Sequence, residues 1–193
     1  GGKLNWDVEQ QMFRPDATRP PTSHDGEAMV TVAGIANGYL DLNNVLQDAD
    51  QAGKNAAKAA GSKPKTAKAP TASEATISPM EPVWLMPQGA PIKKRMKAWL
   101  DFQNDVKVSD VQLAAQEGYE SVEHTKRYTT LGMATDQGKL SNINGLAVLS
   151  KALNADIPQV GTTTFRPPYT PISMGAIAGE ARGKVFQPLR RTP

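Results

Sequence analysis

The stretch SDVQLAAQEGYESVEHTKRYTTLGMATDQGKLSNINGLAVLSKALN, Ser109 to Asn154, sets the architecture of this chain. It repeats one grammar three times: a small polar residue, an amphipathic run, then a residue that tolerates left-handed backbone. Ser109 with Gln112 reads as a capping box, and Gly118 as the stop after the first run. Ser121 opens the second run and Gly132 closes it; Ser141 opens the third and Asn154 closes it. The spacing predicts three short helices packed into a small helical module. Between the second and third lies RYTTLGMATDQGK, Arg127 to Lys139, a loop of turn-forming residues with the look of a segment built to hold something.

Composition narrows the classes around that module. The chain has 193 residues, 39% hydrophobic and only 6% aromatic, so its core rests on Ala, Val, Leu and Met. Fifteen prolines and sixteen glycines fit long irregular connections. A net charge of +3 is too small to imply a nucleic-acid partner unless the basic residues share one face. With no cysteine there is no disulfide framework, no Cys-ligated zinc and no cysteine-held iron–sulfur cluster. That composition fits a reducing, cytoplasmic location. No apolar run reaches the roughly eighteen residues a membrane helix needs, so no membrane partner is expected. The opening GGKLNW has neither Met nor a charged-then-apolar leader, which reads as a segment of a longer polypeptide.

Outward from the module, the first 27 residues read as irregular, broken by Pro15, Pro20, Pro21 and Gly26. Ala28 to Val32 is a β-branched run expected as a buried strand. Ala33-Gly34 turns it, Asn37-Gly38 leads into a helix through Leu42, Val45, Leu46, Ala49 and Ala56, and Gly61 stops it. Residues 1–60 thus form a strand–turn–helix unit. Residues 61–82 have the Ala, Lys, Pro, Ser and Thr composition of a flexible linker. The helical domain spans 83–157, opening on the extended apolar VWLMP, and 158–193 is loop-like, stiffened by Pro167, Pro168 and Pro171. The fold class expected is α+β.

Chemistry-bearing motifs are few. Gly34 and Gly38 sit where strand passes to helix, where backbone N–H groups can face a phosphate or ribose. AGxxxG lacks the full GxGxxG fingerprint, and close helix–strand packing explains the same glycines. His24 and His124 are the only histidines and lie far apart, without carboxylates at metal-ligand spacing. No nucleophile and no catalytic residue is assigned. The runs GKNAAKAAGSKPKTAK and IKKRMK lack interleaved aromatics and read as solvated surface. GTTTFRPPYTP offers threonine hydroxyls and Arg166 on a stiff path, suited to an anionic cofactor or a partner subunit. Anchoring of the loop on the helical module by Phe165 and Tyr169, with Arg166 closing a salt bridge, fits it equally well.

DFQNDVKVSDVQLAAQEGYESVEHTKRYTTLGMATDQGKLSNINGLAVLSKAL followed by VGTTTFRPPYTP resembles the alpha subunit of heterotetrameric sarcosine oxidase. Gly1-Gly2-Lys3, Trp6-Asp7 and AGIANGYLDL resemble the end of that subunit's dinucleotide-binding domain, and LRRTP the lead-in to its folate-binding domain. The resemblance implies oxidative demethylation of sarcosine to glycine, with tetrahydrofolate taking the one-carbon unit and oxygen reduced to peroxide. It implies beta, gamma and delta subunits as partners, with FAD and covalent FMN on beta. For this chain it implies an NAD site at Gly34, Ile35, Gly38, Leu40 and Leu42, and a wall of the FMN pocket at Thr163, Thr164, Arg166 and Lys139. Position 42 is a hydroxyl residue in some relatives, so one hydrogen bond to the dinucleotide is lost here.

The module also resembles the helical [2Fe–2S] domains whose ligands follow C-x-C … C-x-x-C. Asp101, Gln103, Thr135 and Gly138 align with those ligands, and none supplies a thiolate. Two other readings remain: a related amine or opine dehydrogenase subunit, and a basic nucleic-acid-binding module using Lys93, Lys94, Arg95 and Lys97.

Overall fold

A computed structural model describes residues 2–64, 67–85, 89–95, 97–167, 169–187 and 189. Parts of several motifs fall outside that set: Gly1 of GGKLNW, Lys65 and Thr66 of GKNAAKAAGSKPKTAK, Met86 and Pro87 of VWLMP, Met96 of IKKRMK, Pro168, and all of LRRTP except Leu189. The side chain of Arg95 also lies outside it. The chain divides into two compact units, Gly1–Pro82 and Val83–Pro193.

The first unit begins with a hairpin where irregular chain was expected. Strands β1 (Leu4–Asp7) and β2 (Met12–Pro15) pair antiparallel, with Trp6 opposite Phe13. Those two rings meet edge to face at 4.9 Å, the cross-strand aromatic contact that stabilises a short ladder. Asp7 closes the turn: its Oδ1 accepts the amides of Glu9 (3.0 Å) and Gln10 (2.9 Å), while Oδ2 pairs with Arg14 at 2.9 Å. The prolines thus punctuate strand ends rather than abolish strands. The run expected as a buried strand forms one bridge, Ala28 with Thr22, and no ladder. Met29 and Val30 stay 68% and 52% exposed, because no sheet in this unit lies alongside to bury them.

The turn and helix do form. A 3-10 turn at Gly34–Asn37 ends on left-handed Gly38. Helix α1 (Leu42–Ala59) is capped by Asp41, which accepts the Asn44 amide at 2.8 Å. Gly61, at φ +75°, follows its end. The segment beyond returns along the helix: Asn43, Gln47 and Lys54 hydrogen-bond the backbone of Ala72, Pro70 and Ala67. Among the described residues no apolar side chain of this unit is fully buried; its buried residues are Asp16, Gly34 and Gly38. Polar staples carry it.

The second unit holds the apolar core. After the short helix α2 (Ile92–Arg95), strands β3 (Trp99–Asp101) and β4 (Val106–Lys107) form a hairpin that the helical pattern did not announce. Helices α3 (Val108–Gln116), α4 (Val122–Thr129) and α5 (Asn142–Ala152) follow, with α3 packed on both α4 and α5. Val111, Ala114, Val122, Leu131, Leu146 and Leu149 fill the centre. Two short helices, α6 (Ile157–Val160) and α7 (Met174–Ala178), punctuate the remaining segment.

The caps differ from the pattern in detail. Ser109 is already inside α3, and the free amide at the start, that of Lys107, donates to Asp110 Oδ2 at 2.8 Å. Asp110 wins because its carboxylate both accepts that amide and opposes the positive helix end. Gly118 and Asn154 take the left-handed backbone expected of stops. Helix α4 ends earlier than Gly132, at left-handed Thr130, whose carbonyl accepts Asn104 Nδ2 at 2.9 Å.

One carboxylate joins the hairpin to the loop after α4. Asp101 is 3% exposed; its Oδ1 accepts the amides of Gln103 (2.9 Å) and Asn104 (3.0 Å), and its Oδ2 the amide of Gly132 (2.8 Å). Asp101→Ala leaves the buried Gly132 donor unpaired and should lower the unit's stability by about 2–4 kcal/mol. Urea unfolding of the full chain measures this; a loss below about 0.5 kcal/mol would show the staple to be idle.

Acid should loosen the first unit. Hydrogen bonds from the Thr18 hydroxyl, then the Arg19 guanidinium and the Thr18 amide, lower the Asp16 carboxyl from 3.8 to about 2. A depressed folded-state value contributes stability present above the unfolded value and lost as pH falls toward about 2. Asp7 is lowered as well, first by the Gln10 amide and then by Arg14. Trp6 fluorescence in an acid titration should report loss of the hairpin across that window, and Asp16→Asn should flatten the transition.

Candidate functional sites

The candidate dinucleotide site is built on the 3-10 turn and the start of α1. Gly38 sits at φ +91°, where a side chain is strained, and a Cβ there would also lie 2.4 Å from the Arg14 guanidinium carbon, which would have to move. Arg14 bridges Asp7 and the Asn37 carbonyl, and Gln10 Nε2 donates to the Gly38 carbonyl at 2.6 Å. The Gly34 amide, a natural phosphate donor, is already given to Asp48 Oδ2 at 2.7 Å. Asp48 also faces Asn37 Nδ2, and Asp41 holds the α1 N-terminus. Two carboxylates therefore stand where a phosphate would need positive potential. They suit hydroxyl donors instead, and Asp41 Oδ1 and Gln10 Oε1 are buried acceptors without partners among the described residues.

Ile35 and Leu42 are exposed at 61% and 59%, open to an apolar contact, and Leu40 is half-buried. The turn thus fits the ribose-and-base end of a dinucleotide better than its pyrophosphate.

The second candidate site lies where residues 163–169 lace onto α4 and the loop before α5. Asn142, first residue of α5, donates through Nδ2 to Thr163 Oγ1 at 2.7 Å. Its amide fills space that Gly132 and Gly138 keep clear: a Cβ on either would lie 2.1–2.2 Å from it. The glycines of the Arg127–Lys139 loop are explained by that wedge. Thr164 is held on both sides, its amide donating to Glu123 Oε1 and its carbonyl accepting Lys126 Nζ at 2.7 Å. The Arg166 amide donates to Gln137 Oε1 at 2.9 Å. Lys139 Nζ donates to the Tyr169 carbonyl at 2.8 Å and sits 4.2 Å over the Tyr169 ring, itself packed on Phe165.

The anchoring reading of GTTTFRPPYTP holds in part: backbone bonds and the Phe165–Tyr169 pair hold the loop, but among the described residues Arg166 closes no salt bridge and its side chain stays exposed. Thr163, Thr164, Arg166 and Lys139 share one surface. Lys126, Arg127, Glu123 and Gln137 belong with them, and an open cavity of about 70 Å³ is lined by Glu123, Lys126, Arg127, Met133, Gln137 and Arg166. Of these, Lys126 was the most legible in advance: it falls at i+4 from Val122 on the buried face of α4.

The four positions aligned with cluster ligands do lie on two segments that meet. Asp101 and Gln103 belong to the hairpin, and they accept amides of Gly132 and Asp136 from the loop that carries Thr135 and Gly138. Carboxylate, amide, hydroxyl and glycine make no iron–sulfur ligand set. Among the described residues no group of three or more His, Asp or Glu could hold a metal ion, and no helix is long and apolar enough to cross a membrane.

Comparison with known proteins agrees along the whole length. Residues 95–180 match the family described as the sarcosine oxidase A3 domain. The chain is 42% identical, over all of its length, to the sarcosine oxidase subunit alpha of Rhizobium meliloti strain 1021, spanning 18% of that protein. It is 39% identical over all of its length to the same subunit of Corynebacterium sp. strain P-1, and 40% identical over 99% to that of strain U-96, spanning 19% of each. It spans about a fifth of these relatives' length. Among solved structures, L-proline dehydrogenase from P. horikoshii shares the fold, with a TM-score of 0.64 and 21% identity, covering 92% of this chain and 35% of that one. The chain is thus similar, along its whole length, to a segment of sarcosine oxidase alpha subunits, and residues 95–180 match the A3-domain family.

Proposed function

We propose that this chain serves a cytoplasmic sarcosine oxidase as a non-catalytic part of its alpha subunit. There it contributes the remnant of an NAD site, one wall of an FMN pocket, and a scaffold between subunits. The observation that carries this reading is identity of 39–42% to sarcosine oxidase alpha subunits along the full chain. The reaction would be oxidative demethylation of sarcosine to glycine, with tetrahydrofolate accepting the one-carbon unit and oxygen leaving as hydrogen peroxide. Substrate, FAD and folate sites lie elsewhere in such a complex, whose beta, gamma and delta subunits would be the partners. A dehydrogenase subunit of the same fold has 21% identity behind it and ranks second.

Within that role, Gly34, Ile35, Gly38, Leu40 and Leu42 would meet the dinucleotide by backbone and apolar contact. Asp41 would accept from a ribose hydroxyl. The FMN wall would be Thr163, Thr164, Arg166 and Lys139, and a cation beside a flavin stabilises the negative charge of its reduced ring.

The role itself is tested by exchange. Replacing the matching segment of the Rhizobium meliloti alpha subunit with this chain should give a complex that assembles and releases peroxide from sarcosine, while the chain alone releases none. Peroxide from the isolated chain, or failure of the hybrid to assemble, would refute it. The dinucleotide part is tested by calorimetry: Ile35→Asp, at an exposed position, should weaken NAD binding by roughly tenfold or more. Equal affinity of the two proteins would remove Ile35 from the site.

A further inference from the structure

We infer that the cavity between α4 and residues 164–166 is a binding site for a phosphate monoester, held by Lys126 and Arg166. The inference deepens the flavin-wall reading above, but its footing is the local charge and burial.

Lys126 is the central observation. It is 6% exposed, and its ammonium carries three donors. One goes to the Thr164 carbonyl at 2.7 Å. Among the described residues no carboxylate lies within salt-bridge distance of it. Burying an ammonium is costly unless an anion or a full set of acceptors compensates it, and one carbonyl is an incomplete set.

The rest of the lining points the same way. Arg127 pairs with Glu123 at 3.2 Å, and Glu123 spends its other oxygen on the Thr164 amide. The single carboxylate of the cavity is therefore consumed. Arg166 is fixed by its backbone to Gln137, and its exposed guanidinium has no ion-pair partner among the described residues. Three cations against one acid leave the cavity with two uncompensated positive charges. The cleft is open to solvent, and its roughly 70 Å³ has room for a tetrahedral oxyanion. A ligand presents its phosphate to Lys126 and Arg166. A guanidinium fork and an ammonium facing one cavity are the usual pair for such a group.

Flavin mononucleotide and free inorganic phosphate share that chemistry, and the experiment separates them. The full chain is titrated with flavin mononucleotide and with riboflavin, read by flavin fluorescence, and with inorganic phosphate, read by phosphorus NMR line broadening. Each titration is repeated with Arg166→Ala, at an exposed position that leaves the fold intact, and with Lys126→Met. The expected result is that inorganic phosphate binds, competes with flavin mononucleotide, and that each substitution weakens it by roughly tenfold or more. Affinity should fall with added salt.

Inorganic phosphate binding that depends on Arg166, without flavin selectivity, upholds the anion site and refutes the flavin-wall reading. Equal binding of riboflavin and flavin mononucleotide, unaffected by Arg166→Ala, does the reverse. Absence of any Arg166-dependent phosphate binding at millimolar concentration overturns the proposal, whatever Lys126→Met does to folding.

Discussion

A buried carboxylate answered entirely by backbone amides organises the second unit. Asp101 has no cationic partner among the described residues, so its charge is compensated by three N–H donors alone. Two of these close the hairpin turn and the third comes from Gly132, across the unit. Amides of the main chain cannot swing away as a lysine can, so the contact fixes positions as well as energy. Once Gly132 is pinned, the loop to Gly138 has one course, and Asn142 lies in the gap between the two glycines. Asn142 then reaches Thr163 and sets where the last segment crosses α4. The second candidate site is thus a consequence, several contacts removed, of one aspartate.

The same carboxylate explains how the loop from Arg127 to Lys139 keeps its form. The hairpin and the loop after α4 are joined by hydrogen bonds that the amides of Gly132 and Asp136 donate to Asp101 and Gln103. The hydrogen-bonded joint needs no redox-active atom and fixes the same two pieces of chain. Selection on the loop can then follow shape, since shape is what positions residues 163–169.

What could be read from the sequence divides along physical lines. Helices α1, α3, α4 and α5 were legible because apolar periodicity and stop residues are local. The two hairpins were not. β1 and β2 are four residues each, the second ending on Pro15, and their pairing depends on Trp6 finding Phe13 and on Asp7 folding over its own turn. The opposite error fell on Ala28–Val32, where β-branched residues suggested a strand but, among the described residues, only the Ala28–Thr22 bridge forms and no strand of β1–β2 pairs with the run. A propensity is a statement about fit to a surface, and without the surface it predicts nothing. Lys126 shows what a closer reading of pattern would have found. Val122, Thr125, Lys126 and Thr129 fall at i, i+3, i+4 and i+7, so the lysine occupies a core-facing position of its helix.

The two candidate sites differ in the sign of their charge, and the difference sorts ligand groups. At the 3-10 turn, Asp41 and Asp48 hold the amides that a phosphate would want, leaving buried acceptors and an apolar surface. Such a surface selects hydroxyl-bearing and aromatic groups and repels anions. Beside α4, the Glu123 carboxylate is spent on Arg127 and a backbone amide, leaving Lys126 and Arg166 in surplus among the described lining residues. That surface selects anions. A dinucleotide laid on the turn must therefore carry its phosphates away from Gly34, whereas a mononucleotide at the second site must point its phosphate inward. The glycines at 34 and 38 look from sequence like a phosphate cradle, yet the phosphate chemistry sits in a helix whose sequence showed only charge.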